Sequence, residues 1–380
     1  MNIGIDGNEA NVVNKVGSNA YAYELINRLY YLTADRKDLN FNIYLKQSPR
    51  TIFPEVRKNW HYHIFGPKKM WTQWRLPLEL YKKRFSNKKL DVFFTPGHYA
   101  PRFSPFSSVI SIMDLAFLNF PDEFRKRDLK QLKAWTKYSV QNAKHIFAIS
   151  QATKRDIIKH YKISEEKISV TYLGFKAKED CYQRKTDRSF ANFKAHLGVT
   201  NPYLLYVGTL QPRKNIVRLI DAFNLLLKSG NNSKLKLVIV GKKGWLYKDI
   251  FEKVKKLDLY DRVIFTGFVS DWEKYELLRY AKVFILPSLY EGFGIPVLEA
   301  MSVGVPVVIS KNSSLPEVGG DLAYYIDDPY SVESIYKSIL PALDLNKNQR
   351  LDLMAKSKQW VKKFSWQQCA KQTLDKLINV

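Results

Sequence analysis

The stretch Tyr203-Leu-Leu-Tyr-Val207, continued by Gly208-Thr-Leu-Gln-Pro-Arg213-Lys214-Asn215, decides the fold. An unbroken apolar run of this length fits a strand covered on both faces, as in a parallel sheet. Gly208 permits a tight turn and a close approach of ligand or backbone. Helical apolar spacing begins at Ile216 and predicts a helix over residues 216–227. A buried strand, a glycine turn and a helix make the repeating unit of doubly wound α/β sheets.

The same unit recurs outward in both directions. Toward the C-terminus, strand-like runs fall at 235–240, 263–266, 283–286 and 307–309. Toward the N-terminus they fall at 3–6, 41–45, 92–95, 109–112 and 146–149, with a helix over 20–32 where Tyr21, Leu25, Leu29 and Leu32 share a face. A polar, charged break at about 176–200 separates the two series and marks an interdomain crossing. The expectation is two doubly wound, Rossmann-like domains facing each other across a cleft. Residues 1–185 form the first, 186–365 the second, and 366–380 a final helix returning to the first.

Bulk properties agree with a globular protein. A chain of 380 residues, 46% apolar and 26% charged, can fill two cores. Cys181 and Cys369 lie far apart in sequence and suit a reducing compartment. The chain opens directly into a strand pattern, so no signal peptide is expected. No apolar run reaches the roughly 18–20 residues of a membrane span. These features point to a cytoplasmic protein, at most peripheral on the inner face of a membrane. The net charge of +25 attracts polyanions. Residues 1–180 carry 31 Lys/Arg against 17 Asp/Glu and the remainder 30 against 19, so the excess selects no single element.

In such sheets ligands bind beyond the carboxyl ends of the strands. At the first of three informative turns, Arg213 and Lys214 stand just ahead of a helix N-terminus, a suitable place for a diphosphate. A solvated basic loop with Asn215 as helix cap is the simpler alternative. The second turn is Pro287-Ser-Leu-Tyr-Glu291-Gly292-Phe293-Gly294-Ile-Pro296-Val-Leu-Glu299-Ala300. Gly292 and Gly294 can turn backbone N–H groups inward, and Pro296 suits the start of a helix. Glu299, within about its first turn, can accept two vicinal ribose hydroxyls, while Glu291 can bond sugar hydroxyls. A glycine turn with one acidic residue favouring the helix dipole would explain Glu299 but not Glu291.

Glu291 and Glu299 at this spacing, within Tyr-Glu-Gly-Phe-Gly-Ile-Pro-Val-Leu-Glu-Ala-Met, resemble the EX7E signature of retaining GT-B glycosyltransferases of family 4. The likeness continues in order through Gly208–Asn215, Val240–Trp245, Phe265–Ser270, Gly304–Ser310 and Ser314–Glu317. The resemblance implies that Glu299 binds the donor ribose and Glu291 the transferred sugar. It implies that Arg213 and Lys214 hold the diphosphate and that backbone near Val269 meets the nucleobase. Gly208, Gly292, Phe293 and Gly294 complete the implied donor site. Transfer would be metal-independent and need no cofactor, with a nucleotide sugar as co-substrate. The Tyr290–Met301 segment resembles members that use GDP-mannose. A glycan or lipid-linked acceptor for cell-surface polysaccharide or glycolipid is implied in the same way.

On the acceptor side the family has a glycine-bearing loop after the first strand, here 11–19 with Gly17 and Ser18. The alternative is a flexible capped loop. The third turn, Ser111-Ile-Met113-Asp114, aligns with a family stretch that often reads His-Asp or His-Glu. Methionine cannot polarise a hydroxyl, so Asp114 is left to position sugar or acceptor, or merely to cap the turn after it. His61 and His63 read as one face of a strand rather than a metal site.

Residues 46–89 hold 12 Lys/Arg and two Glu, interleaved with Trp60, Tyr62, Phe65, Met70, Trp71 and Trp74. That composition suits peripheral contact with an anionic membrane. The plainer reading places the tryptophans in the core, and a family likeness at Trp74-Arg-Leu-Pro77 favours it. Three other functions stay open at this level. A nucleic-acid-binding protein has only charge and aromatics in its favour, and no binding motif, so no nucleic acid is expected. An epimerase or phosphorylase on the same scaffold, or an inactive relative carrying Met113, complete the set.

Overall fold

A computed structural model of the chain describes residues 1–13, 15, 17–86, 89–97, 99–175, 187–199, 202–230 and 234–380. Two compact units result: Met1–Gly174 with Phe364–Val380, and Phe175–Lys363.

In the first unit the strands are β1 (Asn2–Asp6), β2 (Asn40–Leu45), β3 (Trp60–Ile64), β4 (Val92–Thr95), β5 (Ser107–Ile112), β6 (His145–Ala148) and β7 (Ile168–Val170). They pair in parallel in the order β3-β2-β1-β4-β5-β6-β7. Ile3, Ile5, Phe41, Ile43, Phe93 and Phe94 are fully buried, because helices cover both faces of the central strands. The helix Trp366–Ile378 packs on the helix Ser18–Leu32 of this unit, with Trp366 tilted on Tyr21 at 6.2 Å.

The second unit repeats the winding with β8 (Tyr203–Val207), β9 (Lys236–Val240), β10 (Val263–Gly267), β11 (Val283–Leu286), β12 (Val307–Ser310) and β13 (Tyr324–Ile326). Their order is β10-β9-β8-β11-β12-β13, all parallel. Strand order reverses between β1 and β4 in one unit and between β8 and β11 in the other. In open doubly wound sheets ligands bind in the crevice outside the carboxyl ends of the strands at such points.

The sequence reading assigns no strand to β7 or β13, whose three residues are too short for a period to register. Within the proposed crossing, residues 176–186 lie outside the described residues, as does Cys181. Asp187–His196 is helical rather than irregular.

Candidate functional site

The turns after β8 and β11 flank the switch point of the second unit and are stitched together. Leu289 N–H donates to the Arg213 carbonyl at 2.8 Å, and Arg213 Nη1 donates to the Tyr290 carbonyl at 3.1 Å. Pro212–Lys214 forms a single 3-10 turn, and Asn215 follows in the left-handed region at φ 60°. Asn215 does occupy the N-cap position of the helix Ile216–Lys228, but its side chain makes no cap hydrogen bond. Its amide instead donates to the carbonyls of Pro287 (3.0 Å) and Pro329 (2.6 Å), clamping the neighbouring loop.

This clamping sets the two cations. Lys214 Nζ lies 2.5 and 2.7 Å from the two Glu291 carboxylate oxygens, with both side chains largely buried. Ser288 Oγ donates to the same carboxylate at 2.7 Å. Ser313 accepts the Glu291 N–H, and Ser314 Oγ donates to the carbonyls of Glu291 and Phe293. Arg213 Nε is buried and has no hydrogen-bond partner among the described residues. A buried guanidinium donor left unmatched is costly unless an acceptor arrives, and a diphosphate oxygen is the natural one.

Gly294 sits at φ +115° as N-cap of the helix Ile295–Ser302, where only glycine is at ease. Pro296 occupies its second position. Glu299 falls in the second turn rather than the first, and its Oε1 meets Lys274 Nζ at 2.6 Å. Lys274 belongs to the helix Asp271–Tyr280, whose N-terminus is closed by a Ser270–Glu273 capping box directly after the buried Val269. The Val269 turn and Glu299 are thereby linked through a lysine that sequence reasoning missed.

Gly208 completes the cluster. Its N–H donates to the Val240 carbonyl, Leu210 N–H to Lys242, and Gly244 N–H to Leu210, zipping the turns after β8 and β9 together. Gly208, Arg213, Lys214, Val269, Glu291, Gly292, Phe293 and Gly294 thus belong to the strand-end turns of one unit, and Glu299 to the helix that follows the last of them.

Gly17, Ser18 and Asp114 belong to the other unit. Gly17 is the N-cap of the helix Ser18–Leu32, which begins two residues earlier than expected. Ser18 Oγ and Asn19 Nδ2 donate to Glu9 at 3.3 and 2.6 Å. Glu9, after β1, also lies against Gly97 after β4, where a Cβ would stand 3.3 Å from its side chain. It therefore occupies the switch point of this unit, and its signal is a carboxylate just past a first strand ending in Asp6. Asp114 Oδ1 accepts the Ala116 N–H at 2.9 Å, while Leu115 holds the N-cap position of the short helix Ala116–Asn119. Met113 is buried and its carbonyl accepts from Thr153. His63 bonds Asn42 and stacks on Tyr44, and among the described residues no His/Cys/Asp/Glu group could hold a metal.

Burial pushes the Asp6 carboxyl up to about 6 from 3.8; donors from Asn8 pull it back, and Glu9 adds to the rise. A carboxyl raised in the folded state holds its proton longer there than in the unfolded chain. Stability therefore falls as pH rises from about 4 through 6. With the carboxyl moved from 3.8 to about 6, the loss from this group is about 3 kcal/mol. Asp6→Asn is expected to flatten that slope, measured as the wild-type minus variant difference in denaturant midpoint at pH 4.5 and 7. An unchanged difference would dismiss the buried carboxyl as its source.

The family model "Glycosyl transferases group 1" matches residues 187–360, and "Glycosyltransferase Family 4" matches residues 46–179. The chain is 31% identical over 284 residues to the O-antigen chain mannosyltransferase B of Escherichia coli, covering 75% of this chain and 73% of that one. It is 32% identical over 265 residues to the O-antigen chain mannosyltransferase RfbU of Salmonella typhimurium, covering 67% and 66%. Among solved structures, a glycosyltransferase from Rickettsia africae superposes with TM-score 0.71 at 16% identity over 99% of this chain and 97% of that one. Anabaena HepE in complex with UDP and glucose gives 0.69 at 17% over the full length of both. No helix among the described residues is long and apolar enough to cross a membrane. Two parallel sheets, each wound from a central strand, and these matches over both halves make the chain a member of glycosyltransferase family 4, built on the GT-B fold.

Proposed function

We propose that the chain transfers mannose from GDP-mannose to a glycan or lipid-linked acceptor, with retention of configuration and without a metal. The product would be a cell-surface polysaccharide or glycolipid. The observation that supports this reading is that Arg213, Lys214 and Glu291 meet where the turns after β8 and β11 flank one switch point, with Glu299 on the helix that follows the second turn. The choice of mannose rests on the Tyr290–Met301 likeness and on the names of the two relatives above.

In this mechanism the bond between the sugar's anomeric carbon and the diphosphate oxygen breaks, placing negative charge on the leaving group. Arg213 and Lys214 offset that charge where few water molecules compete. Glu291, released from Lys214 as the lysine turns to phosphate, accepts the sugar hydroxyls. Glu299 accepts the ribose diol, using the carboxylate oxygen outside the Lys274 pair. The acceptor hydroxyl attacks from the face the diphosphate leaves, and its proton passes to the departing phosphate oxygen. Asp114, Gly17 and Ser18 are assigned to the acceptor.

The test is a panel of GDP-mannose, UDP-glucose and their free diphosphates, read by thermal shift and calorimetry. A true donor at a hundredfold excess over Kd stabilises by about 2.7 kcal/mol. Glu299→Ala and Arg213→Ala are each expected to abolish the shift. Stabilisation by UDP-glucose alone would reassign the donor, and no nucleotide binding at all would overturn the transferase reading.

A further inference from the structure

The segment Trp71–Arg84 begins with a π-helical turn, Trp71–Arg75, and continues as the α-helix Leu76–Arg84. One face is core: Trp71, Leu76 and Leu80 are buried with Tyr44, Leu90 and Phe93. The opposite face is not polar. Trp74, Leu78, Tyr81 and Phe85 recur at intervals of four, three and four residues and are 67%, 56%, 43% and 84% exposed. Isolated exposed apolar residues need no explanation, but a continuous helical stripe of this kind marks an interaction surface.

Charge identifies the partner. Lys82 and Arg84 on the helix, and Lys68, Lys69 and Lys89 close to its two ends in sequence, are all exposed. The one carboxylate of the segment, Glu79, is already held by Arg75 at 2.9 Å and Lys82 at 3.0 Å. Arg84 Nη1 also donates to the Pro105 carbonyl, joining the helix end to a loop from which Phe103 projects, 71% exposed. Aromatic and aliphatic side chains bordered by lysine and arginine have the composition of a helix lying in the interface of an anionic bilayer. A protein partner would need matching carboxylates around an apolar groove, whereas a phosphate-bearing lipid surface supplies both components at once.

We propose that Trp74, Leu78, Tyr81 and Phe85 form a membrane-docking face that seats the first unit on anionic lipid. The inference does not depend on the transferase reading, since nucleotide binding reports on the other unit and is measured separately.

Purified full-length protein is spun with vesicles of phosphatidylcholine alone and of phosphatidylcholine mixed with phosphatidylglycerol. Binding to the anionic vesicles is expected, with little to the neutral ones. The double variant Trp74→Ala, Phe85→Ala should lower the partition coefficient roughly tenfold or more while keeping the thermal midpoint. Lys68→Gln with Lys69→Gln should weaken binding and reduce its salt dependence. Anionic binding that survives the aromatic changes and vanishes at high salt would overturn the proposal in favour of a merely basic surface. A dimer that the aromatic changes dissolve, without vesicle binding, would show a second copy covering the stripe. No binding to either vesicle also overturns it.

Discussion

Replacing Lys214 by methionine is expected to cost both stability and transfer, and the two losses separate in a double variant. Lys214 faces both oxygens of Glu291 in a largely buried pair. Removing only the cation strands a carboxylate whose remaining side-chain partner here is the Ser288 hydroxyl. Breaking a buried pair in this one-sided way typically costs about 3–5 kcal/mol. If Lys214 also meets the leaving diphosphate, turnover at saturating donor falls by about 10²–10³-fold. Lys214→Met with Glu291→Gln removes the stranded charge and keeps an acceptor for Ser288. That double variant is expected to regain most of the stability and none of the turnover. Recovery of both together would make Lys214 a structural residue and move the leaving-group role to Arg213 alone.

The parts of this molecule that were legible in sequence are those where burial is symmetric. β8 and β11 lie mid-sheet with every residue buried, so their sequences are unbroken apolar runs. Their turns carry glycine, arginine, lysine and glutamate in a local order that a single reading can weigh. Long-range partners left no such trace. Nothing in Asp271–Tyr280 announces that Lys274 reaches Glu299 on another helix, nor that Asn215 forgoes its own helix to bind Pro287 and Pro329.

The tryptophans divide for a physical reason. Trp60 and Trp71 are core, as the simpler reading held, but Trp74 is not. A π-helical turn carries extra residues per turn, so Trp71 and Leu76, five apart, share the inner face. Trp74 is thereby rotated outward, whereas Leu76 and Pro77 of the same Trp-Arg-Leu-Pro stretch are buried. A regular 3.6-residue template cannot anticipate that change of phase.

The second large effect is expected at Gly241, which ties the fold to the candidate donor site. Gly241 adopts φ +151°, a conformation unfavourable to any residue with a Cβ. A Cβ built there would run into the Gly208 carbonyl oxygen, which is backbone and cannot rotate away. The same residue donates its N–H to the Gly267 carbonyl at 2.9 Å, so the ends of β8, β9 and β10 meet through it. Gly241→Ala must therefore separate the turns after β8 and β9, breaking the Gly208–Val240 and Leu210–Lys242 hydrogen bonds that hold the approach to Arg213. Loss of more than about 4 kcal/mol is expected, from strain and broken backbone pairing together. Gly244→Ala is the comparison: its Cβ would stand 2.7 Å from the Leu210 carbonyl at an ordinary φ, so a smaller loss follows. Hydrogen exchange resolves the outcome by unit. Faster exchange in Tyr203–Val207 and Lys236–Val240, with β1 and β4 unchanged, is the expected pattern. A Gly241→Ala protein with unaltered protection and unaltered nucleotide binding would show that this close backbone approach does not set the site.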